Sequence, residues 1–340
     1  MRKVKLSIIG FGVVGKGFAK ALIADAEILH SLGIDAKVIA IVDLPGSIID
    51  KRGIDLERVL KETSEKGFIP NSELKALDVI NNLKADIVVE ATPTNINTGE
   101  PGLSHIVNAL KNKQHVITSN KGPLVVAYKR LMDLARENNV ELRFEATVGG
   151  AMPIVNLARE ILLGYRIKSI RGIFNGTCNY ILTRMTDEGF PYEHILSEAR
   201  ELGIAEANPV YDVEGIDTAS KLVILANSIF NLNATYEDVK VTGITKITPE
   251  ALKLASEIGY AIKLIGEVAI NSNGYILEVA PKMIPKTHPL NVGGTLNVAS
   301  IQTELAGEIT VTGRGAGALE AASAMISDLI AIARAREKRI

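Results

Sequence analysis

Between Glu206 and Asp217 of this 340-residue chain, four carboxylates (Glu206, Asp212, Glu214 and Asp217) fall within 12 positions, and Lys221 follows. Asp217 and Lys221 are four apart, so on a helix they share one face. Ile224 and Leu225 lie close by, and a lysine among apolar residues is expected to hold a defined position. A routine surface pair, contributing only about 0.3–0.5 kcal/mol, is the plain alternative. Upstream stands a polar turn, Phe174-Asn175-Gly176-Thr177, followed by the single cysteine, Cys178. Its place at a helix start allows a lowered pKa, but a lone Cys is more often a small packed hydrophobe.

A second group lies near the N-terminus. Gly10-Phe11-Gly12-Val13-Val14-Gly15 has the G-x-G-x-x-G spacing, directly after an apolar run and at the start of a helical pattern. In that context the first glycine makes the tight turn, the second lets backbone approach a pyrophosphate, and the third lets helix and strand pack closely. The helix N-terminus then offers free N–H groups to the anion. An ordinary strand-to-helix turn is the alternative. Asp43, ending the next apolar run, suits the ribose hydroxyls and repels a 2′-phosphate, which favours NAD over NADP; a turn-capping Asp is the alternative. Lys51, Arg52 and Arg58 are close enough in sequence to moderate that preference. Ala91-Thr92-Pro93-Thr94 and Ser119-Asn120-Lys121 follow two further apolar runs, where an open α/β sheet binds its ligands.

These residues need a scaffold. Apolar runs at 3–9, 38–42, 86–90, 115–118 and 142–146 alternate with helical patterns at 13–23, 103–111 and 124–137, which implies a parallel sheet covered on both faces. In the first helix Val13, Val14, Phe18, Ala21 and Leu22 are expected to share one side. After Gly149-Gly150 the pattern changes. Helices are expected at 153–163, 180–185, 192–202, 216–229 and 249–258, and strands at 167–174, 261–270, 275–281, 296–303 and 308–312, with a hairpin-like break at Asn271–Gly274. A glycine-rich turn, Gly313 to Gly317, precedes a final amphipathic helix, Ala318 to Arg336. The expected fold is α/β: a Rossmann-type parallel-sheet domain over 1–148, to which 313–340 return, and an α+β substrate and dimerisation domain over 149–312.

Composition bounds the function. Lys and Arg number 38, Asp and Glu 39, and no stretch concentrates one sign, so nucleic acid is not an expected partner. No apolar stretch reaches the roughly 18 residues of a membrane span, and the short basic-apolar start runs straight into a glycine turn, so a cytoplasmic protein with no membrane partner is expected. The five histidines show no zinc-ligand spacing, and Gly-x-Ser-x-Gly and GK[ST] motifs are absent.

Taken together, GFGVVG, VEATPTN with GEP, HVITSNKGPL, FEATVGGAMPI, RGIFNGTCNYIL, ELGIAEANPVYDVEGIDTASKLVILA and GRGAG resemble the homoserine dehydrogenase family, in its short form, over nearly the whole chain. The resemblance implies NAD(P)-dependent interconversion of L-homoserine and L-aspartate 4-semialdehyde. It implies that Lys121 and Lys221 position or donate the proton, that Asp217 orients Lys221, and that Glu206 binds the substrate ammonium with help from Asp212. Asn175, Gly176 and Thr177 would hold the amino acid. The cofactor would meet Gly10, Phe11, Gly12, Val13, Val14, Gly15, Asp43, Ala91, Thr92, Pro93, Ser119, Asn120, Lys121 and Gly315. It further implies a Na⁺ or K⁺ held mainly by backbone oxygens of Glu145, Val148, Gly150 and Met152, with a plain glycine hinge as the alternative, and a homodimer. Arg314, and the run after Gly315 where the family usually has Pro-Thr-Ala, depart from the family pattern and bear on cofactor preference. Another two-domain NAD(P)-dependent dehydrogenase, or a dinucleotide sensor without turnover, are the alternatives.

Overall fold

Buried β-branched runs and glycine-started helices build the first of two compact units, Met1–Thr147 with Gly317–Ile340. The structure, a computed structural model, describes residues 1–272 and 274–335. Asn273, within the expected hairpin break, and Arg336, the expected end of the last helix, lie outside the described residues.

The first unit runs β1 (Arg2–Ile9), α1 (Val13–Ala24), α2 (Ala26–Ser31), β2 (Ile34–Asp43), β3 (Gly46–Ile49), α3 (Leu56–Lys66), α4 (Ala76–Asn82), β4 (Ile87–Glu90), α5 (Gly102–Lys111), β5 (His115–Thr118), α6 (Lys121–Glu137) and β6 (Leu142–Arg143). Its sheet order is β3-β2-β1-β4-β5-β6, so the strand order reverses between β1 and β4, the switch point where such sheets bind ligands. β1, β2, β4, β5 and β6 are parallel, but β3 pairs antiparallel with β2 as a short edge the sequence pattern did not reveal. β6 stops after two residues and gives way to a 3₁₀ turn at Glu145–Thr147, shorter than the expected 142–146 strand.

Phe18, Ala21 and Leu22 of α1 are buried, as are Met325, Leu329 and Ile332 on the closing helix, and all join one core beneath β1 and β2. Val13 departs from the expected apolar side: it is 75% exposed, because the first turn of α1 faces a cleft instead of the core. The closing helix begins at Ala318, where a Cβ on Gly17 would come within 2.5 Å of the Ala318 carbonyl. Only glycine lets α1 and that helix lie this close.

The second unit, Val148–Ala316, holds α7 (Ile154–Asn156), β7 (Ile167–Ile173), α8 (Gly176–Glu188), α9 (Tyr192–Glu201), α10 (Val210–Val213), α11 (Ile216–Phe230), β8 (Lys240–Val241), α12 (Pro249–Glu257), β9 (Tyr260–Asn271), β10 (Gly274–Pro285), β11 (Leu296–Thr303) and β12 (Glu308–Arg314). The chain then closes on α13 (Ala318–Ala335), the first unit's final helix. The second sheet, β12-β11-β7-β9-β10-β8, is antiparallel except that β8 runs parallel to β10. The expected helix at 153–163 is divided: one short α turn is followed by a π-helical stretch, Leu157–Ile161. α11 is buried from Asp217 through Ser228, the pattern of a helix enclosed on all sides.

Candidate functional site

The ends of β1, β2, β4 and β5 surround a cleft of about 620 Å³ in the first unit. Gly10 has φ +92°, and a Cβ there would stand 2.6 Å from the Ala91 carbonyl, so glycine lets the β1 and β4 exits meet. A Cβ on Gly15 would come within 2.1 Å of the Gly10 carbonyl, whereas nothing lies within 4 Å of one on Gly12. Gly12 thus presents bare backbone to the cleft, and α1 starts there without a side-chain cap. This cradle fits a dinucleotide: an open glycine and uncapped first-turn N–H groups match a pyrophosphate.

Gly10, Gly12, Val13, Val14, Asp43, Ala91, Thr92, Pro93, Ser119 and Lys121 line the cleft. Phe11, Gly15 and Asn120 stand behind its wall. Phe11 is 1% exposed and packs on Phe68 with ring centroids 6.0 Å apart. Asn120 caps α6, accepting from the Gly122 N–H at 3.1 Å, while its amide donates to the Pro93 carbonyl at 3.3 Å and so joins the two loops. Gly315 belongs to the second unit. Lys51, Arg52 and Arg58 do not line the cleft; Arg52 turns to Asp50 at 3.4 Å and Arg58 to Glu62 at 3.9 Å.

Sequence reading missed three cleft-side residues. Glu90, fully buried at the end of β4, accepts from the Thr92 N–H at 3.1 Å, from the Thr92 hydroxyl, and from the Thr118 hydroxyl at 3.1 Å. It ties together the loops that carry Thr92 and Ser119. His105 lines the cleft with Nδ1 3.6 Å from the Glu90 carboxylate. Lys75 lines it too, beside Asp43 and Leu44. Glu90 sits inside an apolar run and Lys75 in a charged loop, and neither carries a local spacing signal.

In the second unit the polar turn and the carboxylate segment converge. Lys221 donates from Nζ to Asp217 Oδ2 at 2.7 Å and to the Phe174 carbonyl at 2.6 Å. The Asn175 amide donates to Asp212 Oδ1 at 2.7 Å and to Asp217 Oδ2 at 3.0 Å, while its oxygen caps α8 through the Cys178 N–H at 2.9 Å. Asn175, Asp217 and Lys221 are each 5–7% exposed. The pair is therefore no routine surface bridge. Burial is the main force raising the Asp212 pKa above its usual range; Asp217 and Glu206 add to this, and the Asn175 amide opposes it.

Thr177 donates its hydroxyl to the Ile204 carbonyl at 3.0 Å, which fixes the 203–208 loop on which Glu206 stands exposed. Gly176 lies where a Cβ would meet the Thr295 carbonyl at 2.7 Å. Cys178 is buried, in keeping with a lone packed cysteine: burial, with Asp212 next, pushes its pKa well up, and its thiol donates to the Asp212 carbonyl at 3.2 Å.

Of the expected cation donors, Glu145 falls in the first unit, and Val148, Gly150 and Met152 fall in the second. Gly150 has φ +57° and lies against the Gly315 carbonyl, and the Ala151 N–H donates to the Arg314 carbonyl at 3.0 Å. The Met152 carbonyl accepts from the Ile154 N–H at 2.8 Å and keeps a second lone pair. Among the described residues no group of three or more His, Cys, Asp or Glu is placed to hold a metal, and no helix is long and apolar enough to cross a membrane.

A model described as homoserine dehydrogenase matches residues 153–330, and one described as homoserine dehydrogenase, NAD binding domain, matches residues 10–145. The homoserine dehydrogenase of Methanocaldococcus jannaschii is 52% identical over 336 residues, 97% of this chain and 99% of that one. The NAD(+)-dependent homoserine dehydrogenase of Pseudomonas canavaninivorans is 37% identical, with 98% and 97% covered. A crystal structure assigned as a homoserine dehydrogenase from Archaeoglobus fulgidus superposes with a TM-score of 0.91 at 49% identity, covering 97% of this chain and 99% of that one.

Proposed function

This chain belongs to the homoserine dehydrogenase family of NAD(P)-dependent oxidoreductases, and on that footing we propose how its own residues carry the reaction. Bound nicotinamide supplies or accepts the hydride. Reduction of L-aspartate 4-semialdehyde places a hydride on the aldehyde carbon and a proton on its oxygen; oxidation of L-homoserine reverses both transfers.

Lys221 is the group proposed to stabilise the developing alkoxide and give it the proton. The observation that carries this is its fixed position, with two of its three N–H groups held by Asp217 and the Phe174 carbonyl. A preset ammonium needs little reorganisation as oxygen gains charge. Asp217 keeps Lys221 oriented and charged, and Asn175 in turn holds Asp217. Lys121, on the cofactor cleft, is proposed as the second lysine of the reaction. The substrate ammonium is assigned to Glu206 with Asp212, and the Asn175-Gly176-Thr177 turn to the amino-acid backbone.

For the cofactor, Asp43 at the end of β2 supports a preference for NAD over NADP, and the glycine cradle supports the pyrophosphate site. The Val148, Gly150 and Met152 carbonyls are proposed donors to Na⁺ or K⁺, hard cations suited to oxygen ligands. The test is whether activity and thermal midpoint depend on either ion at constant ionic strength. A homodimer is proposed from the position of β12 at the end of the second sheet, and a monomer at micromolar concentration by sedimentation contradicts it. The experiment for the whole reading follows NAD(P)H appearance with L-homoserine at alkaline pH; cofactor binding without turnover favours the sensor.

A further inference from the structure

The turn after β2 carries two opposite charges into the cleft. Asp43 accepts the Leu44 N–H on Oδ1 at 2.9 Å, which orients its carboxylate. Along the same turn, Lys75 Nζ donates to the Leu44 carbonyl at 3.0 Å and to the Pro45 carbonyl at 3.2 Å. Both residues line the cleft. Lys75 is held there by its own backbone. Ser72, three residues earlier, exchanges two hydrogen bonds with Ser47 of β3, at 2.9 and 3.0 Å, and the Lys75 N–H caps α4 through Asp78 at 3.0 Å.

An ammonium has three donors. With two spent on carbonyl oxygens, one N–H and the whole positive charge remain for an anion at the ribose end of the cleft. The carboxylate of Asp43 suits a ribose diol and repels a phosphate, whereas the neighbouring ammonium attracts one. We propose that Lys75 is the residue that accepts the 2′-phosphate of NADP, so that the chain uses both dinucleotides and its preference reflects Asp43 set against Lys75. This rests on reading the cleft as the cofactor site. Lys51, Arg52 and Arg58, nearer in sequence to Asp43, are excluded from the role because they do not line the cleft.

The test compares binding of 2′,5′-ADP with that of 5′-AMP, probes that differ only in the 2′-phosphate, by calorimetry on the intact protein. Lys75→Ala is expected to weaken 2′,5′-ADP about 10-fold, the order of one lost charge-assisted contact, and to leave 5′-AMP within about twofold. Lys75→Arg is expected to retain most of the 2′,5′-ADP affinity. An equal loss for both probes means that Lys75 only shapes the turn, and no loss for either means that the phosphate goes elsewhere; each overturns the proposal. If the unaltered protein binds neither probe, the cofactor reading of the cleft falls, and the role of Lys75 falls with it.

Discussion

Lys221 Nζ lies 2.7 Å from Asp217 Oδ2, one turn earlier on α11, with both side chains 9% exposed. Burial makes this pair costly to break, since a lone charge left in the interior carries a large desolvation penalty. Lys221→Ala is expected to cut kcat by about 10²–10⁴-fold, the range for losing a positioned proton donor. Because the cofactor cleft is built wholly from the first unit, NADH binding should survive, and fluorescence titration of the variant checks it. Near-normal turnover would remove Lys221 from the mechanism.

Asn175 bridges Asp212 and Asp217, and the raised pKa of Asp212 has a kinetic consequence. In the proposed role, Asp212 as a carboxylate helps hold the substrate ammonium; once protonated it would lose that attraction. Its folded pKa lies above the ordinary 3.8, so KM for homoserine should begin to climb, as pH falls, earlier than an unperturbed aspartate would allow. Asp212→Asn should raise KM at neutral pH and flatten this acid limb while changing kcat less. A pH profile of KM that is identical in the variant would refute the role.

How much of this was legible beforehand depends on whether partners lie close in sequence. Gly10 to Gly15 form one contiguous turn, and Asp217 and Lys221 are one helical turn apart, so spacing singled them out as candidates, although it left a plain turn and a surface pair as the alternatives. Glu90 was hidden because its partner Thr118 is 28 residues away and only the β4–β5 pairing brings the two together. Lys75 was hidden for the same reason, with its carbonyl partners 30 and 31 residues back. The four-residue edge strand β3 is too short to show a periodicity. The π-helical stretch at Leu157–Ile161 cannot be told by pattern from a continuing α-helix.

Lys263 on β9 plays no part in the proposed chemistry, yet it should leave a mark on stability. It is 4% exposed, and its ammonium donates to Asn179 Oδ1 and Thr183 Oγ1, both at 3.0 Å. Burial lowers its pKa from 10.5 to about 8, with the charge of Asp187 opposing. Below about 8 both folded and unfolded chains carry the proton, so its contribution is flat; between about 8 and 10.5 only the unfolded lysine still holds it. Stability therefore rises with pH through that window, by about 3 kcal/mol in all. Urea unfolding near neutral pH and near pH 10 should show this gain, and Lys263→Met should remove it from the difference between the two curves. An unchanged pH dependence in the variant would mean that the lysine stays charged in the fold.

Two glycines of the nucleotide turn should fail for different reasons. A Cβ on Gly15 would sit 2.1 Å from the Gly10 carbonyl, so Gly15→Ala must push α1 away from β1; the expected result is a lower thermal midpoint together with loss of dinucleotide binding. A Cβ on Gly12 meets nothing within 4 Å and points into open cleft. Gly12→Ala should therefore leave the thermal midpoint of the unliganded protein within about 1–2 °C, the scale of a surface change of ±0.5 kcal/mol. NADH affinity should still fall, because the methyl occupies the place where backbone must approach the pyrophosphate. Paired melting curves and titrations separate the two effects. Unaltered NADH affinity in Gly12→Ala would mean that the pyrophosphate does not cross this turn.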